Sequence, residues 1–232
     1  MKQSIQLSDH FTYGRLLRFT LPSIGMMIFT SIYGVVDGFF VSNFAGKTAF
    51  AAINLIMPLL MIFSTVGFMF GTGGSALVAK TLGEGDKEKA NRYFSLFVYV
   101  CAALGIVFTV VGMFIAPPVA EALGAEGQML HDAALYSRII LAALPFGVLQ
   151  LLFQSFMITA EKPMLGLWVT VSSGVTNMVM DAVLVTLLPQ EWKLTGAAIA
   201  TALSQTVGGA IPLVYFSRKN CSTLHLGKTH YD

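Results

Sequence analysis

Residues 30–44 read TSIYGVVDGFFVSNF, an apolar run with a single acidic residue, Asp37, at its centre. Such a run is typical of a membrane-spanning helix, in which a charged side chain costs about 2.5–3.5 kcal/mol near the bilayer centre. Acidic residues in these segments usually face the protein interior or a water-filled cavity, and they mark ion or proton pathways. The stretch therefore predicts a membrane protein and, within it, a candidate functional residue.

The composition of the whole chain supports this prediction. Of its 232 residues, 55% are hydrophobic and 11% are charged, whereas soluble domains carry about 25% charged residues. The net charge of +2 and the scattered basic residues give no nucleic-acid-binding surface. The sequence shows no nucleophile–base pair, no metal-ligand spacing and no nucleotide-binding loop. We therefore expect neither an enzyme nor a bound cofactor.

Six apolar segments are each long enough to cross a bilayer, which takes about 20 residues per helix. The loops between them are short, so the distribution of Lys and Arg predicts the orientation. With the N-terminus in the cytoplasm, 11 of the 14 basic residues fall inside and 3 outside. We expect a multi-pass protein of the plasma membrane with both termini in the cytoplasm. The segments span residues 16–42, 49–79, 93–117, 134–158, 164–188 and 196–217.

Two of the 12 acidic residues lie inside these segments, Asp37 in the first and Asp181 in the fifth. Asn177 precedes Asp181 by four residues and therefore shares its helix face. The first and fifth segments thus each carry a polar face with one acid on it. This pattern predicts two helices that face a shared cavity. The alternative is that the acids are buried hydrogen-bond anchors that stay neutral. The other polar residues on these two faces are Thr30, Tyr33, Thr170 and Ser173.

Three further polar residues lie in or near the fourth segment. They are Tyr136, Gln150 and Gln154, of which the two glutamines are four residues apart and share a face. They either extend the lining of the predicted cavity or make ordinary hydrogen bonds between helices.

Four stretches together resemble a known transporter family. They are LPSIGMMIFTSIYGVVDGFFV at 21–41, ALVAKTLGEGDKEKANRY at 76–93, NMVMD at 177–181 and GAAIATALSQ at 196–205. Their order and spacing are similar to those of the multidrug and toxic compound extrusion (MATE) transporters, particularly the branch with the DinF-like and MepA-like proteins. The resemblance implies a fold of twelve helices in two six-helix lobes, related by a pseudo-twofold axis. It also implies export of cationic, amphiphilic drug-like compounds in exchange for H⁺ or Na⁺.

The resemblance also implies roles for individual residues. Asp37 matches the aspartate of the family's first helix, and Asn177 and Asp181 match the N-x-x-x-D pattern of the fifth helix. Thr201 matches a threonine of the sixth helix near the same site. Together these four residues are the predicted coupling site for H⁺ or Na⁺, with Na⁺ held by Asp37, Asn177 and Asp181. Pro22 matches a proline at which the first helix is proposed to bend.

We therefore expect an all-α membrane protein whose six transmembrane helices form one lobe of a twelve-helix MATE-type transporter. Residues 1–15 are predicted to be a cytoplasmic amphipathic leader, 16–217 the N-terminal lobe, and 218–232 a cytoplasmic connector. The lobe's partners would be the lipid bilayer, the substrate and a second lobe, from the same full-length chain or from another copy.

Two other functions stay open at this point. The first alternative is a truncated membrane fragment that transports nothing. The second is half of a flippase-type exporter of lipid-linked precursors. Flippases of that type tend to carry basic residues inside the membrane cavity. Here Arg15 and Arg18 lie only at the entrance to the first segment, which argues against the flippase.

Overall fold

Six long helices form the lobe in a computed structural model, which describes residues 13–218 and 222–227. Each is apolar and long enough to cross a membrane, so the predicted all-α, six-helix architecture is confirmed. Most of the predicted leader and part of the predicted connector lie outside the described residues. The helices are α1 (Tyr13–Phe40), α2 (Lys47–Gly83), α3 (Lys87–Ala122), α4 (Gly127–Thr159), α5 (Pro163–Leu187) and α6 (Lys193–Ser217).

Each helix begins before the apolar segment that predicted it, and α2, α3 and α4 also end beyond theirs. The charged stretch 80–93 is mostly helical, and only Glu84–Asp86 connects α2 to α3. The Asp86 carboxylate caps α3 by accepting a hydrogen bond from the backbone N–H of Lys89, at 3.0 Å. The 37 residues of α2 give a length of about 55 Å, well above the roughly 30 Å of a hydrocarbon core. The charged helix ends can therefore stand clear of the hydrocarbon.

Helix α4 is the centre of the lobe and packs against α2, α3 and α6. Glycines of these three helices, Gly67, Gly105 and Gly209, meet the backbone of α4 at residues 145–148. A methyl group added at any of them would lie 2.7–2.9 Å from a backbone carbon of α4. Such close approach of backbones is how helices associate in a bilayer, where lipid is as apolar as the side chains.

Helix α1 lies at the edge of the lobe, where it packs mainly on α5. A π-helical turn, Val41–Ala45, ends it. Gly46 follows with φ = 100°, a conformation that glycine adopts without steric cost. The side-chain amide of Gln190 donates to the backbone oxygens of Phe44 and Ala45, at 3.1 and 3.3 Å. These bonds fix the end of α1 that carries Asp37.

After α6 the chain folds back, and residues 222–227 lie along the first turns of α3. Asn91 and Ser95 are four residues apart and present one polar face to this segment. The backbone N–H of His225 donates to Asn91 Oδ1 at 2.8 Å, and that of Gly227 donates to Ser95 Oγ at 3.0 Å. The described part of the predicted connector is therefore bonded to α3.

Candidate ion site and cavity

The acidic residues of α1 and α5 meet inside the lobe. The Asp37 carboxyl lies beside the side chains of Asp181, Asn177 and Thr201. Asp181 is fully buried, and Asn177 is 1% exposed. The four residues that the sequence grouped as a coupling site are thus neighbours, brought together from α1, α5 and α6.

Oxygen atoms in this cluster lack hydrogen-bond donors. Asp37 Oδ1, Asn177 Oδ1 and both carboxyl oxygens of Asp181 are buried, with no partner among the described residues. The side-chain nitrogen of Asn177 donates a hydrogen bond to Thr201 Oγ1, at 3.5 Å. Buried polar atoms in native proteins nearly always have a partner. A cluster of four unpaired acceptors is therefore suited to a proton or a cation.

A cavity of about 390 Å³ opens beside the cluster. Asp37, Asn177 and Thr201 line it, whereas Asp181 does not. The cluster therefore presents one carboxyl to the cavity and holds the second behind it. Four of the six residues predicted to line a cavity also line this one: Thr30, Tyr33, Tyr136 and Gln150.

A second cavity, of about 50 Å³, adjoins the first and shares Thr30, Tyr33 and Gln150 with it. Gln154 lines this smaller cavity and not the larger one. Ser173 lines neither cavity. It is fully buried between α5 and α6, where its hydroxyl donates to the backbone oxygen of Ser204 at 2.8 Å.

Gln150 is held in place by Ser173. Its side-chain nitrogen donates to Ser173 Oγ at 3.2 Å. The predicted lining residue Gln150 and the buried Ser173 therefore form one hydrogen-bonded unit that joins α4, α5 and α6.

Gln205 is a lining residue that the sequence analysis missed. It follows Thr201 by four residues, so it lies on the same face of α6 one turn away. Its position inside an apolar segment, at a helical spacing from a predicted site residue, was the signal that could have found it.

Pro22 lies far from the cluster along α1, which is continuous through it from Tyr13 to Phe40. Fifteen residues separate Pro22 from Asp37, or about 22 Å along a helix. The predicted bend at this proline concerns a change between conformations, and it stays a prediction.

The MatE family model matches residues 22–183. The chain belongs to the MATE family. This MATE chain is 27% identical to the multidrug export protein MepA of Staphylococcus haemolyticus over 229 residues, which cover 99% of the chain and 50% of that relative. It is 25% identical to MepA of Staphylococcus aureus strain MRSA252, over 88% of the chain and 45% of the relative.

Solved MATE structures share the fold. A MOP superfamily transporter from Pyrococcus furiosus superposes with a TM-score of 0.84 at 23% identity, over 91% of this MATE chain and 46% of that one. A MATE structure in complex with MaD5 gives a TM-score of 0.79 at 26% identity, over 87% and 45% of the two chains. This MATE chain therefore spans about half the length of the relatives it matches.

Proposed function

We propose that the chain is the N-terminal lobe of a cation-coupled efflux antiporter, which exports cationic amphiphilic compounds by alternating access. The proposal is carried by one observation, the cluster of four buried acceptor oxygens beside a cavity of about 390 Å³. A buried acceptor left without a partner costs about 1–3 kcal/mol, so a proton or a cation bound among these oxygens would be stabilised. Binding a coupling ion there removes that cost.

The chemistry of the cluster suits H⁺ or Na⁺. Two neighbouring carboxylates repel when both are charged, so a proton shared by Asp37 and Asp181 stabilises the pair. Alternatively, the oxygens of Asp37, Asn177 and Asp181 would hold Na⁺, because hard cations prefer oxygen ligands. Thr201 positions the Asn177 amide through the hydrogen bond between them.

The arrangement explains how ion and substrate would be coupled. Asp37 faces the cavity, so a cationic substrate and the coupling ion would compete for the same negative charge. Transport further requires that the ion bind the two conformations of the lobe with different affinity. A bend of α1 at Pro22 is the conformational change that we propose to follow ion binding, since α1 carries Asp37.

The relatives support this proposal at the level of the whole transporter. The curated relatives are named multidrug export proteins, and the chain covers 50% and 45% of the lengths of the two described above. A second lobe, from the same chain or from another copy, would complete the substrate cavity. The excess of Lys and Arg in the loops assigned to the inside supports plasma-membrane insertion with both termini in the cytoplasm.

The lining of the cavity argues against the flippase-type alternative. No Lys or Arg is among the described residues that line the 390 Å³ cavity. An anionic, phosphate-bearing lipid precursor would find no positive charge there, whereas a cation would find Asp37.

The test is ethidium transport by the complete product of the gene, in membrane vesicles energised by a pH gradient or a Na⁺ gradient. We expect Asp37→Asn to abolish gradient-driven transport, because it removes the charge that faces the cavity. Asp86→Asn is the matched control, since Asn caps a helix as well as Asp does. Undiminished transport by Asp37→Asn refutes the coupling role. A wild-type protein that moves nothing under either gradient supports the inert fragment instead.

A further inference from the structure

Two glutamines and two glycines lock α4 and α6 together in a reciprocal arrangement. Gln150 of α4 packs on Gly208 of α6, and Gln205 of α6 packs on Gly147 of α4. A methyl group on Gly208 would lie 2.7 Å from Gln150 Nε2, and one on Gly147 would lie 3.0 Å from Gln205 Oε1. Each helix thus has a glycine at the point where the amide side chain of the other helix packs against it. Both amides border the 390 Å³ cavity.

The two amides differ in how they are bonded. The Gln150 nitrogen donates to Ser173, which fixes its orientation and leaves its carbonyl oxygen as an acceptor. Gln205 Oε1 is buried with no partner among the described residues. An unpaired buried amide oxygen is uncommon and costs free energy. The Gln205 amide therefore has an acceptor oxygen that no described residue uses.

We infer that Gln150 and Gln205 form an amide subsite that selects transported molecules carrying N–H donor groups. The inference rests on the proposed transport function and names the substrate feature that the lobe recognises. The subsite is uncharged, so it reads a polar N–H group and leaves the positive charge of the substrate to Asp37. Gln205 borders the cavity, and the last torsion of a glutamine side chain has a broad range, so its carbonyl oxygen can turn to accept a donor there.

The amide subsite and the acidic cluster are close enough for one ligand to contact both. Gln205 lies one helical turn from Thr201, or about 6 Å along α6, and Thr201 belongs to the acidic cluster. A planar aromatic cation with an amino group at its edge spans that separation. The cavity volume of about 390 Å³ is also within the range of drug-binding pockets, roughly 300–1,000 Å³.

The test compares two aromatic monocations that differ in hydrogen bonding. Ethidium carries two amino groups, whereas tetraphenylphosphonium carries no hydrogen-bonding group. Equilibrium binding of each probe is measured on the purified protein in detergent, wild type against Gln205→Met, which keeps the length of the side chain. We expect the Kd of ethidium to rise about 3- to 10-fold, the effect of one lost hydrogen bond, and that of tetraphenylphosphonium to change less than twofold.

Two further variants guard against a merely structural effect. Thr206→Val is the control, because Thr206 neighbours Gln205, lines neither cavity, and bonds to Ala202 within its own helix. It should change neither Kd. Gly147→Ala is a second way to disturb the subsite, because the added methyl displaces the Gln205 amide. It should reproduce the selective loss of ethidium binding.

Each outcome decides the matter. Equal weakening of both probes by Gln205→Met and Gly147→Ala, or no weakening by either, overturns the subsite, and so does a wild-type protein that binds neither probe. A selective loss of ethidium binding in a protein that shows no gradient-driven transport sustains the subsite and refutes the antiport. The two proposals therefore fail separately.

Discussion

Replacing Gly67 by alanine tests the packing of the lobe at its centre. The new methyl group would lie 2.9 Å from the carbonyl carbon of Val148 and closer still to its oxygen. Ordinary contacts of a Cβ atom begin near 3.4 Å, so the backbones of α2 and α4 must separate by at least about 0.5 Å. A gap of 0.5–1 Å forfeits roughly a quarter to a half of the dispersion energy of the contacts that it opens.

The expected cost follows from this geometry. Overpacking a core costs about 1–3 kcal/mol, and we expect the upper end, because backbone atoms cannot rotate out of the way as side chains do. For a domain of 150–250 residues, about 3 kcal/mol lowers the midpoint of thermal unfolding by roughly 6–12 °C. The assay is thermal unfolding of the purified protein in detergent, followed by intrinsic fluorescence.

Gly73→Ala is the matched control on the same helix. A methyl group there meets nothing within 4 Å, and alanine favours a helix over glycine. We expect this variant to be as stable as the wild type or more so. If Gly67→Ala unfolds at the same temperature as Gly73→Ala, the close approach of α2 and α4 is not a determinant of stability, and the packing argument is wrong.

Two other perturbations address single hydrogen bonds. Ser173→Ala removes the hydroxyl that accepts from Gln150 and donates to the Ser204 backbone. We expect the free energy of unfolding in SDS to fall by about 1–2 kcal/mol, because each bond between membrane helices contributes about 0.6 kcal/mol and the former partners are left unpaired. An unfolding midpoint equal to that of the wild type would contradict this. Asn91→Leu removes the acceptor for the His225 N–H, so hydrogen exchange at His225 should accelerate at least about fivefold; unchanged exchange would show that the connector is held by other contacts.

The fold was predictable because composition and length carry it. Six apolar runs separated by short polar loops leave few alternatives to a bundle of membrane helices. The acidic cluster was predictable for a related reason, since Asp37 and Asp181 are the two acids whose burial in a membrane needs compensation. The spacing of Asn177 from Asp181 added a third member, because four residues make one helical turn.

The depth of each residue in the lobe was not predictable, because it depends on which helices are neighbours. Helical spacing placed Ser173 on the polar face of α5, but the packing of α6 over that face turned it inward. The same packing recessed Asp181 behind the cavity while leaving Asp37 on its wall. The spacing of Gln205 from Thr201 places it on the same face of α6, but its contact with Gly147 joins two helices that are distant in sequence and was not predictable.

The contact between residues 222–227 and α3 has a mechanical consequence. No described residue of α3 lines either cavity, yet Asn91 and Ser95 grip the chain after it has left α6. A polypeptide that continues past residue 227 is therefore attached to the side of α3. The length of chain available to reach a following domain is then counted from residue 227 and not from the end of α6. A shorter linker raises the effective concentration of the domain that follows it. The hydrogen bonds to Asn91 and Ser95 would therefore keep a following lobe close to the cavity.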